Sequence, residues 1–230
     1  MIVENFREKM IGAGFNPPIE IKADGNFHRF STNGKPSDDA GWYILNEFPI
    51  AGGSYGCWRT GLKGSWSLVD EKKLTQEEKT KFKQAIQRMI RVYDEEKAKV
   101  NQEASESAQR LWDQSQKASS DHPYLVSKKV DAYSIKLNGK HLLIPLRDIK
   151  GKLWNLQKIS PDGKKLFLKN GKVKGFSHII GQPADQIYIG EGYATMASVH
   201  AATGKACVVA FNAGNLIDVC SQIRSSYPDK

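Results

Sequence analysis

Residues 187–215 read Ile-Tyr-Ile-Gly190-Glu191-Gly192-Tyr-Ala-Thr-Met-Ala-Ser, run on through a helical stretch to Gly204, and continue Cys-Val-Val-Ala-Phe211-Asn212-Ala-Gly214-Asn215. A short apolar strand ends on a single acid, a glycine follows at once, and a helix of small residues begins. Gly204 reads as its C-cap, a second apolar strand follows, and a second helix starts at 215. The pattern is strand 186–190, helix 193–203, strand 206–211 and helix 215–226. Glu191 therefore falls at the C-terminal end of a strand, where open α/β sheets place their ligands. Flanked by apolar sequence, its charge is expected to be buried and to need a cationic partner such as a metal ion. From spacing alone it could equally be a first-turn acid stabilised by a helix dipole. Asn212, Gly214 and Asn215 end the second strand and are expected to shape the same site.

Outward from that segment the chain changes character. Residues 142–146, 153–157 and 166–168 read as strands joined by turns at Asp148–Gly151 and Pro161-Asp-Gly163, an antiparallel sheet. Its charge is lopsided: residues 128–174 hold 13 Lys/Arg against 3 Asp/Glu, whereas residues 1–70 hold 7 against 8. The whole chain carries a formal +9, so this segment accounts for the excess and favours a phosphate-rich partner. Lys128, Lys129, Arg147, Lys152, Lys158, Lys164, Lys165, Lys169, Lys172 and Lys174 are the candidate nucleic-acid contacts. They surround Trp154, Phe167 and Phe176, of which Trp154 and Phe167 read as core.

Upstream, Thr75-Gln-Glu-Glu78 is a capping box. It opens a polar helix with Phe82, Ile86, Met89, Tyr93, Val100, Ala104, Ala108 and Leu111 on one face, a spacer of roughly 60 Å if unbroken to residue 117. Before it lies a small unit rich in turns and aromatics. A short helix spans 1–13, and Ile19–Lys22 and Asn26–Phe30 flank an Asp24-Gly25 hairpin signal. Strands follow at 41–45 and 55–59, with Gly52-Gly53 between them. Arg29, Trp42, Trp58 and Arg59 are its candidate template contacts. The three cysteines, 57, 207 and 220, form no CxxC pair, which argues against zinc and against a disulfide framework. No signal peptide and no apolar run of membrane length are present, so a cytoplasmic chain without membrane contact is expected.

Glu191-Gly-Tyr-Ala-Thr195 followed by Val208–Leu216 resembles the Toprim domain of phage- and plasmid-encoded DNA primases. The order of upstream motifs is similar as well: His122-Pro-Tyr-Leu125 with Lys128, Leu143–Leu146 with Asp148 and Gly151, and Leu156–Ile159 with Asp162-Gly-Lys164. The likeness covers residues 104–230. It implies an α+β architecture: a small β-rich N-terminal domain (1–72, like a zinc ribbon but without its ligands), a connecting helix (73–117), then a core (118–230). The core would comprise the basic antiparallel sheet (118–183) and the first half of a parallel Toprim sheet (184–230). It also implies template-directed synthesis of RNA primers from ribonucleotides on single-stranded DNA, alongside a replicative helicase. Glu191 would be a catalytic residue and a ligand for Mg²⁺ or Mn²⁺. The family's Asp-x-Asp pair on the next strand is not in this sequence. The chain is therefore expected to be a fragment of a longer primase, inactive alone. The competing readings are a single-stranded-DNA-binding accessory protein and a Toprim-type nuclease.

Overall fold

The computed structural model describes residues 1–47, 51–69 and 75–229. The expected boundary between residues 72 and 73 lies outside the described residues. The fold is mixed α and β, dominated by antiparallel sheets, with five α-helices among the described residues, and it divides into units at Met1–Ala98 and Lys99–Lys230.

The first unit is a four-stranded antiparallel meander: β1 (His28–Phe30), β2 (Gly41–Asn46), β3 (Gly52–Cys57) and β4 (Lys63–Ser67). Side chains alternate along β2. Tyr43 and Leu45 pack with Phe6 and Met10 of α1 (Ile2–Gly12), while Trp42 and Ile44 pack with Met89 and Tyr93 of α2 (Gln76–Asp113). Glycine makes room for the aromatics. Phe30, Trp42 and Tyr55 each sit opposite a glycine (Gly41, Gly56 and Gly64), where a Cβ would lie within 2.9 Å of the ring. That is the close approach for which a strand gives up a side chain. Ile19–Lys22 forms no strand: Ile19 is exposed, and residue 24 makes only an isolated bridge to Asn46. Gly52 and Gly53 begin β3 rather than separating strands, and β4 follows it.

The capping box on α2 is formed in both directions, Thr75 N–H donating to Glu78 Oε2 (2.8 Å) and Glu78 N–H to Thr75 Oγ1 (3.3 Å). Its early residues Met89 and Tyr93 belong to the first unit's core. Later in the helix, Ala108 packs with Leu143, Leu153 and Leu156 in the second unit, and the Ser105 hydroxyl donates to Leu153 O (2.5 Å).

The second unit holds a five-stranded antiparallel sheet in chain order: β5 (Gln116–Lys117), β6 (Lys136–Asn138), β7 (His141–Arg147), β8 (Leu153–Ile159) and β9 (Lys165–Phe167). Between β5 and β6 lies the short helix α3 (Pro123–Lys128). It begins with proline at its first position, and His122 Nδ1 accepts from Tyr124 N–H (3.3 Å). A three-stranded sheet has the order β10 (His178–Ile180), β12 (Ala206–Val209), β11 (Ile187–Gly190); β11 and β12 are parallel and β10 is antiparallel to β12. Helix α4 (Tyr193–Thr203) connects β11 to β12 and ends on Gly204 at φ 66°. One core unites the sheets: Leu142, Ile144, Leu146 and Ile159 meet Tyr193, Met196, Ala197, Cys207 and Val209. The other face of β12 packs Val208 and Ala210 on Val219 and Ile223 of α5 (Leu216–Ser226). Among the described residues no helix is long and apolar enough to cross a membrane.

Candidate functional site

Four strand ends meet at one rim of the second unit. Gly190 and Val209 are register partners at the C-terminal ends of β11 and β12, and His178 at the start of β10 pairs with Val209. Arg147, ending β7, exchanges both backbone hydrogen bonds with Ser177, at 2.9 and 3.1 Å. Glu191 follows Gly190 directly and is exposed, which corrects the expectation of a buried charge. The reason is topological. β11 is the outer strand of its sheet and Glu191 lies one residue past its last pair, which leaves the carboxylate open to water. A Cβ at Gly190 would sit 2.5 Å from the end of the Met196 side chain, which would have to shift to admit one. Gly192 caps α4 in extended conformation.

Lys165 reaches this turn from β9. Its Nζ lies 3.9 Å from where a Cβ at Gly192 would be, as does Thr195 Oγ1. The basic sheet and the strand-end acid therefore adjoin. Among the described residues no three His, Cys, Asp or Glu side chains group to hold a metal ion. The single exposed carboxylate does not by itself fit a Mg²⁺ or Mn²⁺ centre, which takes several hard oxygen ligands.

The strand-end polar residues divide in role. Asn215 is buried and commits its amide to backbone groups: Oδ1 accepts from Gly175 N–H (2.6 Å), while Nδ2 donates to Ala210 O (2.8 Å) and Phe176 O (3.1 Å). It clamps the 172–176 loop onto the end of β12. Asn212 O accepts from Asn215 N–H (3.1 Å), and Gly214 is exposed. Between them and β12 stands Phe211 with φ 72°, packed on Phe167 at 5.9 Å. Such a backbone on a bulky residue costs about 1–3 kcal/mol and clusters at functional sites. No sequence signal marks it.

The predicted cations fall into several environments. Lys128 and Lys129 are exposed at the end of α3, with Lys129 in the left-handed region (φ 55°). Lys158 is half-buried in β8. Lys164 is exposed in a turn held by Asp162, whose carboxyl the Ser160 hydroxyl and Lys164 N–H keep below the usual carboxylate range. Lys169 is exposed, and Lys174 pairs with Asp218 at 3.5 Å. Arg147 donates from Nη1 to Gly151 O (2.7 Å) and lies 5.5 Å from the Trp112 ring; burial lowers its pKa against the opposing pull of Asp113 and Asp148.

Lys152 and Lys172 converge on Trp154, each ammonium about 4 Å from the ring (4.0 and 3.9 Å). Trp154 is half-buried and belongs to none of the buried clusters, whereas Phe167 packs on the main core. A β-bulge is responsible. Leu146 pairs with Asn155 and Arg147 with Leu153, so Trp154 is left over between them. Leu153 and Leu156 then both face α2, which strict alternation forbids. Two core leucines three apart were the sequence signal for it.

In the first unit the predicted contacts have internal partners. Arg29 lies 3.9 Å over the Trp58 ring, donates from Nε to Asp39 O (2.5 Å) and pairs with Asp39 Oδ1 (3.3 Å). Arg59 pairs with the buried Asp38, which also accepts from Thr32 N–H (2.6 Å), Thr32 Oγ1 (3.0 Å) and Ala40 N–H (3.3 Å). Burial alone would raise the Asp38 carboxyl; these bonds and Arg59 hold it well below the usual range. Trp58 Nε1 donates to Tyr93 OH (3.2 Å), and Phe27 stacks between Trp42 and Trp58 at 5.8 and 5.6 Å.

Over 219 residues the chain is 32% identical to a DNA primase TraC of Escherichia coli, spanning 90% of this chain and 20% of that protein. A second Escherichia coli DNA primase TraC is 36% identical over 163 residues, 60% of this chain and 11% of its own length. The chain thus spans a fifth or less of the curated relatives it matches. No protein-family profile and no solved structure matches it.

Proposed function

We propose that this chain is the template-binding part of a DNA primase of the phage and plasmid type, and that its basic five-stranded sheet holds single-stranded DNA. The observation that carries this reading is the meeting of Lys165, from the most basic segment of the chain, with the Gly192 turn that carries Glu191. Cations there track phosphates toward the strand-end acid. The similarity to two DNA primases across most of the chain supports it, as does the parallel strand–helix–strand unit β11–α4–β12 expected of a Toprim half-sheet.

In the whole protein Glu191 would contribute one carboxylate to a Mg²⁺ or Mn²⁺ site that further acids complete. Such a site would supply charge neutralisation for joining ribonucleotides. Within this chain, Asn215 fixes the lysine-bearing loop at the rim. A replicative helicase is the partner such a primase would serve. One observation favours a second reading, a module that only binds: among the described residues no three His, Cys, Asp or Glu side chains group as a metal site.

The test is equilibrium binding of a fluorescent oligothymidylate over a salt series. Reversing Lys164 and Lys165 to Glu should weaken binding at least about tenfold at low salt. It should also flatten the salt slope by about 1.4, two phosphate contacts at about 0.7 each. Unchanged affinity and slope would remove the sheet from the interface.

A further inference from the structure

The bulge in β8 leaves an aromatic ring half-buried and outside the buried clusters. Trp154 is the unpaired residue between the Arg147–Leu153 and Leu146–Asn155 pairs, and bulges of this kind re-aim a side chain. Its indole edge is fixed: Nε1 donates to Asp148 Oδ2 at 2.8 Å. The other oxygen of Asp148 accepts from Lys150 N–H (3.0 Å) and Lys152 N–H (2.9 Å), so one carboxylate sets both the turn and the ring. Phe176 stands 5.6 Å from the indole, and Asn215 holds the Phe176 backbone. Lys152 and Lys172 lie over the ring. The Lys152 ammonium also donates to Gln102 Oε1 at 2.8 Å, and both lysine stems are long and flexible enough to leave the ring.

An oriented indole with cations around it matches the two things a single strand offers at every step, a base face and a phosphate. We infer that Trp154 is a nucleobase-stacking platform for single-stranded nucleic acid, with Lys152 and Lys172 moving from the ring to the phosphates on either side of the stacked base. The inference rests on the proposed single-strand binding and adds the residue that reads the base.

The experiment compares oligothymidylate with a strand of equal length made of abasic sites, which keeps the phosphates and removes the rings. The full chain should prefer the base-bearing strand about tenfold, the worth of one base–aromatic stack. Trp154→Leu should abolish that preference and leave the salt slope unchanged. Trp154→Phe, which keeps a ring, should retain most of it. A preference that survives in a folded Trp154→Leu chain overturns the inference while the basic sheet stands. Failure of the unaltered chain to bind either strand removes the single-strand reading and this inference with it. Should Trp154→Leu not fold, tryptophan emission decides. Saturating oligothymidylate should quench the unaltered chain, which has five tryptophans, more strongly than Trp154→Phe. An equal quench in both overturns the assignment.

Discussion

The two units use the same residue types to opposite ends. The first carries Arg29, Arg59, Trp42 and Trp58, a set that in sequence reads as a nucleic-acid surface. In the fold each arginine meets a carboxylate, Asp39 or Asp38, and the rings interlock through Phe27 and Tyr93. The second carries lysines and Trp154 with 3 acids to 13 cations over residues 128–174, against 8 to 7 over residues 1–70. With so few carboxylates to satisfy them, most cations there remain at the surface. Cations and aromatics together do not make an interface; the local supply of acids decides whether they turn inward.

The contrast can be broken most forcefully at Trp42. Its side chain is buried against Met89 and Tyr93, so Trp42→Ala should cost about 4 kcal/mol of stability by urea unfolding, with single-strand affinity unchanged in the folded fraction. A large loss of affinity with little loss of stability would reverse the roles assigned to the units.

Acid should separate the units as well. Burial pulls the His178 imidazole down to about 4, while Nε2–H donates to Tyr133 O at 3.1 Å. The unfolded chain binds that proton near pH 6.5. The second unit's stability is therefore full above about pH 6.5 and falls as pH drops toward 4, by about 3 kcal/mol in all. In the first unit burial would raise Asp24, but the hydrogen bonds from His28 and Asn26 together with the His28 charge outweigh it and hold the carboxyl at about 2. Its contribution is present above the unfolded carboxylate pKa and is lost as pH falls through about 2, so it largely survives to pH 4. Melting followed between pH 7 and 4 should show the second unit weakening first, and His178→Gln should remove that slope. Equal weakening of both units would contradict the assignment.

Asn215→Ala comes next. It leaves Gly175 N–H without its acceptor and should cost about 2 kcal/mol. Because the freed loop carries Lys172 and Lys174, single-strand affinity should fall with it. Stability lost at constant affinity would uncouple the loop from the interface. The smallest effect is expected at Arg29→Gln, with affinity within about twofold, since that guanidinium is already committed to Asp39 and Trp58. A tenfold loss would bring the first unit back into the interface.

Local signals were legible in the sequence wherever a single residue type dictates the backbone. The Thr75–Glu78 box, the Gly204 cap and the turns at Asp148–Gly151 and Asp162-Gly163 are all present. What escaped depends on partners distant in sequence. Ile19–Lys22 alternates like a strand but finds no neighbour to pair with. β4 has weak strand propensity and forms because Gly64 admits the Tyr55 ring while Trp66 packs on Phe6. At the site, sequence put Glu191 at a strand end correctly and its charge in the wrong medium, because burial there depends on which strand is outermost. Asn215 read as a site-facing group, and its three hydrogen bonds turn it into a clamp. Trp154 read as core because the bulge that expels it is a property of the pairing with β7.

On the proposed reading the single strand lies on the second unit's basic sheet and leaves the aromatic cluster of the first unit untouched. Amide hydrogen exchange of the full chain, with and without saturating oligothymidylate, reads this directly. Protection is expected along β8, β9 and the 169–176 loop, with no change over residues 27–46 and 52–59. Protection confined to those first-unit residues, with β8 and β9 unchanged, would contradict it.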